Sequence, residues 1–255
     1  MKTLGFLALL IGLAALSIAS VSAQNAQQMR PAQEGGTQSR LVSIFIPPVA
    51  NAPFSATVTT VWTTYMADGT MATIKNHRTI ARDSAGRIFQ ERRFFSPNGD
   101  KRETAISQLE FSDPVSHQEY FCHPEVRACE LYNYNVPASP VEGVSATSLS
   151  GANGAKVEDL GHDTIAGLDT VGTRETTTIA PGTIGNDRAL DVVRELWYSA
   201  QLGFDLMLNR NDPRTGTANI RVTEIHLGEP DAKLFDPPSD YTVVDARKPV
   251  PPSSN

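Results

Sequence analysis

Beyond Ala19 the 255-residue sequence has no apolar run approaching the roughly 20 residues that a membrane-spanning helix needs, which excludes a helical span from the rest of the chain. None of the common catalytic signatures is present: there is no Gly-x-Ser-x-Gly elbow, no His-Glu-x-x-His pair, no Gly-Lys-Ser/Thr phosphate loop and no calcium loop. These absences weaken a common-hydrolase reading and favour a non-enzyme without cofactor or metal, with a hydrolase of an unrecognised class as the lesser alternative. The five histidines (His77, His117, His123, His162 and His226) are scattered, with no helical i, i+4 metal pair, and read as surface or strand-edge residues. Glu91, Glu103, Glu110, Asp113 and Glu119 fall on neighbouring segments, but carboxylates on exposed β faces are common, and a paired-carboxylate site needs a separation that sequence does not supply. Asn186-Asp187-Arg188 follows a Gly-containing stretch without the strand-turn-helix context of an anion cradle, so it reads as a solvated loop.

What is present begins with a secretory signal. Lys2, the apolar run Leu4 to Ala19 and the small-residue site Val21-Ser22-Ala23 read as a signal peptide over 1–23, with the mature chain beginning near Gln24. An uncleaved anchor is the alternative, and the cleavage-type ending favours removal. The expected location is therefore periplasmic or extracellular. Residues 24–40, rich in Gln, Gly and Ala, read as a flexible leader, and 247–255, with three prolines, as a disordered tail.

Loss of Lys2 takes the formal charge from −6 to −7. From Lys75 to Arg102, eight basic residues stand against three acidic ones, so this stretch is +5 and the remainder −12. An acidic protein is a poor generic nucleic-acid binder, although the basic stretch could meet an anionic envelope surface. The plainer reading is that long Arg side chains cover the outer face of a sheet.

The only cysteines, Cys122 and Cys129, flank a Pro-containing turn between aromatic-rich runs. In an exported protein they read as a disulfide across a hairpin, worth about 2.5 kcal/mol by loop entropy. A metal site of Cys122, Cys129, His117 and His123 is the alternative, but its spacing matches no familiar zinc pattern.

From Phe54 onward, β-branched and aromatic runs alternate with turn residues. Strands are expected over 54–66, 71–83, 88–96, 103–112, a cysteine hairpin over 118–134, and again over 156–160, 168–179, 191–199, 204–209 and 218–227. Ala67-Asp68-Gly69-Thr70 and Pro97-Asn98-Gly99-Asp100 supply hairpin turns. Residues 137–154, rich in Pro, Ser, Gly and Ala, read as a long connection between two halves of one sheet. A short helix over 188–195 is the one helical option, and Val192-Val193 favours strand. The expectation is an all-β single domain over 41–246, a single antiparallel, strongly curved sheet or half-barrel with little helix outside the signal peptide.

The C-terminal third carries a resemblance. Leu196-Trp197-Tyr198-Ser199, Leu202-Gly203-Phe204-Asp205-Leu206, Asp212-Pro213-Arg214-Thr215-Gly216 and Leu234-Phe235-Asp236-Pro237-Pro238 with Tyr241 resemble the ending of periplasmic lipoprotein-carrier-like proteins, the LolA and RseB group. The whole core, with Pro53-Phe54-Ser55-Ala56 near its start, is more closely similar to a large group of uncharacterised exported proteins of environmental bacteria. The carrier resemblance implies a curved half-barrel whose concave face holds acyl chains or a hydrophobic peptide. The chain departs from that pattern in lacking clear lid helices and in adding the disulfide hairpin. On this reading the candidate apolar face comprises Trp62, Phe94, Phe111, Trp197, Phe204 and Leu206 and takes a lipid or hydrophobic partner; the alternatives are ordinary core packing of the same residues and a scaffold role for the protein.

Overall fold

The computed structural model describes residues 43–135 and 155–247. The signal peptide, the leader, the 137–154 connection and the tail from 248 lie outside these residues.

The described residues form one twelve-stranded sheet. In chain order the strands are β1 (Phe54–Tyr65), β2 (Met71–Arg82), β3 (Ile88–Arg93), β4 (Ile106–Asp113), β5 (Gln118–His123), β6 (Ala128–Asn133), β7 (Lys156–Ile165), β8 (Leu168–Ile179), β9 (Leu190–Ser199), β10 (Phe204–Asp212), β11 (Gly216–Leu227) and β12 (Thr242–Asp245). A 3-10 turn, η1 (Ala232–Phe235), precedes the last strand, and the described residues contain no α-helix. The order across the sheet is β12-β6-β5-β4-β3-β2-β1-β11-β10-β9-β8-β7. Two antiparallel meanders, β1–β6 and β7–β11, are thus joined where β1 pairs with β11. The sheet does not close into a barrel, because β12 and β7 remain its two edges. One pair departs from the expected antiparallel pattern: β12 runs parallel to β6. The stretch 188–195 is not a helix: from Leu190 onward it is strand, since β9 is hydrogen-bonded to β8 on one side and β10 on the other.

Period-two alternation places Phe54, Ala56, Val58 and Thr60 of β1 on one face, all buried. Their cross-strand partners Arg82, Ile80, Arg78 and Asn76 lie on the same face. So do Ile220 and Val222 of β11, and Leu206 and Leu208 of β10 complete this first core. Each fully buried aliphatic or aromatic side chain here contributes roughly 1.5–3 kcal/mol.

The apolar character then changes sides. On β3 to β6 the inward positions carry Gln90, Glu110 and Glu119, while Phe89, Phe111, Cys122 and Cys129 stand on the opposite face with Ala81. Phe235, Leu234 and Tyr241 of the C-terminal segment cover that second core. The crossover falls on β2, where consecutive residues Ile80 and Ala81 are both fully buried, one in each core.

Curvature follows from a single contact. β2 and β10 are separated by β1 and β11, a flat-sheet distance of about 14 Å, yet Arg82 at the end of β2 donates to the carbonyl of Leu202 in the β9–β10 turn. That end of the sheet therefore curls toward the first face, which is concave.

Candidate functional site

Among the described residues the concave face is covered not by a second sheet or a helix but by an extended segment leading into β1. Ile44 and Ile46 insert two side chains into the first core. The segment follows β2, with Ser43 at Arg78 and Pro47 at Arg82, without joining the strand ladder, and Pro47 and Pro48 have no N–H to offer one. Arg82 ties it down. This residue is 0% exposed; Nη1 donates to Pro47 O at 2.8 Å, Nε and Nη2 donate to Ala52 O at 3.0 and 2.9 Å, and Nη2 also donates to Leu202 O at 2.8 Å. Its guanidinium lies 5.1 Å from the Phe54 ring centroid. Burial pushes its pKa down to about 10, so the group remains a cation at neutral pH.

Beside Ser43 the same face opens into a cavity of about 140 Å³ lined also by Thr60, Asn76, Arg78, Arg92, Arg93, Phe95 and Ile220. The turn after Phe95 builds one wall. Ser96 and Lys75 exchange backbone hydrogen bonds of 2.8 and 3.0 Å, and the turn lies so close that a Cβ on Gly99 would stand 1.9 Å from Lys75 O. Gly99 is thus required by close approach. This docking carries the Phe95 ring to 6.4 Å from the Trp62 ring in an edge-on arrangement.

Arg78 is the most deeply placed cation of the cavity at 4% exposed. Nη2 donates to Ser43 Oγ at 2.7 Å, and Nη1 makes longer bonds to Gln90 Oε1 and Glu91 O at 3.3 and 3.4 Å. All three acceptors are neutral. Burial, with the neighbouring Arg92 adding repulsion, lowers its pKa to about 9. Arg92 and Arg93, by contrast, are paired with Glu110 and Glu91. Asn76 donates from Nδ2 to Arg93 O at 2.8 Å, which fixes the amide, and its buried Oδ1 has no hydrogen-bond partner.

The six residues expected to share an apolar face are not brought together. Phe204 and Leu206 are buried in the first core. Trp62 is half-buried on the same side and donates from Nε1 to Thr215 O at 3.2 Å. Phe111 belongs to the second core on the opposite face. Phe94 is 58% exposed, and its neighbour Phe95 turns toward Trp62 instead. Trp197 is half-buried at the margin of the first core and covers Gly172, its partner on β8. Cys122 and Cys129 are directly opposed on β5 and β6 and form the expected disulfide. Among the described residues no cluster of His, Cys, Asp and Glu is suited to a metal.

Four functional candidates escaped the sequence reading: Ser43, Asn76, Arg78 and Arg82. The signal was the spacing within β2, where Ile74, Asn76, Arg78, Ile80 and Arg82 occupy one side of a strand and mix cations with isoleucine. The basic stretch from Lys75 to Arg102 is also not simply an outer covering. Arg78 and Arg82 point inward, and Lys75, Arg87, Arg92 and Arg93 are held in ion pairs.

No family model and no curated protein matches the chain. Solved structures do. An uncharacterized conserved protein from Thermus thermophilus superposes with a TM-score of 0.41 at 11% identity, covering 76% of this chain and 90% of that one. Pseudomonas aeruginosa MucB, in its complex with MucA, gives 0.39 at 12% identity over 76% of this chain, which spans 58% of the MucB chain. A LolA superfamily protein from Nitrosomonas europaea gives 0.29 at 9% identity, covering 72% and 90%. The group suggested by the C-terminal motifs is thus among the structures this chain resembles, at an identity and overlap that speak to neither ligand nor activity.

Proposed function

We propose that this chain is a non-enzymatic, exported protein of the bacterial envelope that takes an apolar or amphipathic ligand on the concave face of its sheet. One observation carries the reading: among the described residues the first core is roofed by a single extended segment whose contribution is two isoleucines, Ile44 and Ile46. A face that already accepts an extended apolar chain has the shape and chemistry to accept another, either an acyl chain or a hydrophobic peptide. Exchange requires only that a short segment move, without breaking any strand pairing.

Fluorescence titration of the mature protein with cis-parinaric acid tests this. Saturable binding is expected, and replacing Ile46→Ser should tighten it severalfold by weakening the resident segment, provided thermal unfolding shows the variant folded. Absence of saturable binding to either form overturns the reading. A role as a scaffold on anionic surfaces has less support, because ion pairing and burial leave Lys101 and Arg102 as the exposed cations of the basic stretch without an ion pair among the described residues.

A further inference from the structure

We propose that the ligand of the concave face is an extended peptide segment of a partner protein, and that residues 43–47 hold its place in the free chain. The peptide carries a hydroxyl-bearing residue followed by apolar side chains at the first and third positions after it. The proposal rests on the concave face being the ligand-binding face and names the class of ligand it takes.

The resident segment shows what the face recognises. Ile44 and Ile46 are 4% and 2% exposed and enter the first core, whereas Phe45 between them is 50% exposed. That is the period-two presentation of an extended polypeptide. Ser43 and Pro47 are four residues apart, as are Arg78 and Arg82, so the segment keeps step with β2. At one end Arg78 Nη2 donates to Ser43 Oγ at 2.7 Å, and at the other Arg82 Nη1 donates to Pro47 O at 2.8 Å. The first contact reads a side-chain hydroxyl and the second a main-chain carbonyl, which every residue carries.

The two arginines decide between an acyl chain and a peptide. When the segment leaves, Arg78 keeps Gln90 Oε1 and Glu91 O on Nη1, and Arg82 keeps Ala52 O and Leu202 O on Nε and Nη2. Arg78 Nη2 and Arg82 Nη1 are the donors that lose their acceptors. Four residues of extended chain separate these side chains, roughly 13 Å. An acyl chain brings its head group to one of them and covers the other with methylene groups, which leaves a buried donor unsatisfied. A peptide brings a hydroxyl to the first and a carbonyl to the second, and its alternate side chains fill the seats of Ile44 and Ile46. A second copy of this chain carries the same residues, but exchange between copies has to open the turn after Pro47 in both. There Val49 N donates to Pro47 O, and Asn51, at φ 60°, donates from N to Ser84 O. A partner's peptide needs only one segment to move.

Fluorescence polarisation of the mature protein tests this, with a fluorescein-labelled peptide of residues 43–49 (Ser-Ile-Phe-Ile-Pro-Pro-Val) as the probe. The Ile46→Ser protein should bind it at least tenfold more tightly than the parent does, because the resident segment competes less. It should also prefer it at least tenfold over a peptide of the same composition in shuffled order. Ser43→Ala in the peptide should weaken binding severalfold, and that loss should vanish when the protein also carries Arg78→Gln. If the Arg78→Gln protein does not fold, the Ser43→Ala peptide alone decides the arginine's part. cis-Parinaric acid should bind at least tenfold more weakly than the peptide. Parinaric acid binding as tightly as the peptide, or binding where the peptide does not, overturns the peptide and leaves the apolar face standing. A shuffled or Ser43→Ala peptide binding as well as the probe overturns the recognition pattern. A mature protein that is dimeric by light scattering, and takes up the peptide only as the dimer dissociates, assigns the face to a second copy and overturns the partner. Binding of neither peptide nor parinaric acid overturns both the inference and the reading beneath it.

Discussion

Arg82 and Leu202, 120 positions apart in the chain, are joined by a 2.8 Å hydrogen bond that bends one end of the sheet over its concave face. The same guanidinium holds Pro47 O and Ala52 O, so one cation organises the covering segment and the β9–β10 turn together. Replacing Arg82→Met leaves three carbonyl oxygens without their donor, and a loss of about 3–5 kcal/mol is expected. Arg82→Lys should restore less than half of it, because an ammonium lacks the planar fork. Urea unfolding measures both, and a midpoint unchanged in the Met variant would remove Arg82 from this role.

The disulfide makes a second prediction. Cys122 and Cys129 face each other across β5 and β6 and are fully buried in the second core. Thiol labelling of denatured, unreduced mature protein should find neither. The double Cys→Ser variant should lose about 2–3 kcal/mol from the missing cross-link. Reductant should act slowly on the native fold, since both sulfurs are screened from solvent. Rapid, quantitative labelling of the native protein under mild reduction would contradict that placement.

Gly172 and Trp197 make a third. A Cβ on Gly172 would lie 2.8 Å from Cη2 and Cζ3 of the indole, so the tryptophan seat exists only because position 172 has no side chain. Gly172→Ala should displace Trp197 toward solvent at a cost of roughly 1–3 kcal/mol. Read in a Trp62→Phe background, the emission should shift to the red. Unshifted emission with unchanged stability would mean that the strand slides to relieve the contact.

Much of the fold is legible in local patterns and much of the site is not. Phe54 to Trp62 alternates cleanly, and Asp68-Gly69 and Asn98-Gly99 punctuate it, so strands and neighbours can be read directly. Phe111 and Phe204 look alike in sequence, yet they face opposite sides, because the buried side of the sheet changes at Ile80 and Ala81. Alternation within a strand cannot reveal that change; it depends on which distant segment covers each face. Residues 43–47 cover one face and Leu234, Phe235 and Tyr241 the other. Arg78 and Arg82 were concealed for a related reason. Arginine is rarely buried, and the carbonyls of Pro47, Ala52 and Leu202 around Arg82, with the Ser43 hydroxyl, Gln90 Oε1 and Glu91 O around Arg78, make the inward positions tolerable.

Two aspartates on β10 should give stability profiles of opposite sign. Burial raises Asp205 to about 6, with Glu175 adding to the shift and Arg194 opposing it. Asp212 is 0% exposed and held low, first by the Arg214 side chain, with Arg210 reinforcing it. An unfolded aspartate titrates near 3.9. For Asp205 the folded chain binds the proton more tightly, so its stabilising contribution is complete below about pH 4 and is lost as pH rises through about 6. For Asp212 the folded chain binds the proton less tightly, so its contribution is complete above the unfolded value and is lost as pH falls through the folded one. Asp205→Asn should therefore stabilise the protein at pH 8 by about 1–3 kcal/mol, with the difference shrinking toward pH 4. Asp212→Asn should destabilise it at pH 8 by roughly 2–4 kcal/mol, because two arginines lose a buried partner, with the deficit narrowing in acid. Urea midpoints at pH 4, 6 and 8 for Asp205→Asn, extended to about pH 3 for Asp212→Asn because its contribution is lost below the unfolded value, decide both, since each comparison cancels the acids that the variant shares with the parent. An Asp205→Asn curve running parallel to the parent across that range would show that Asp205 titrates at its ordinary value, and the burial assigned to it would be wrong.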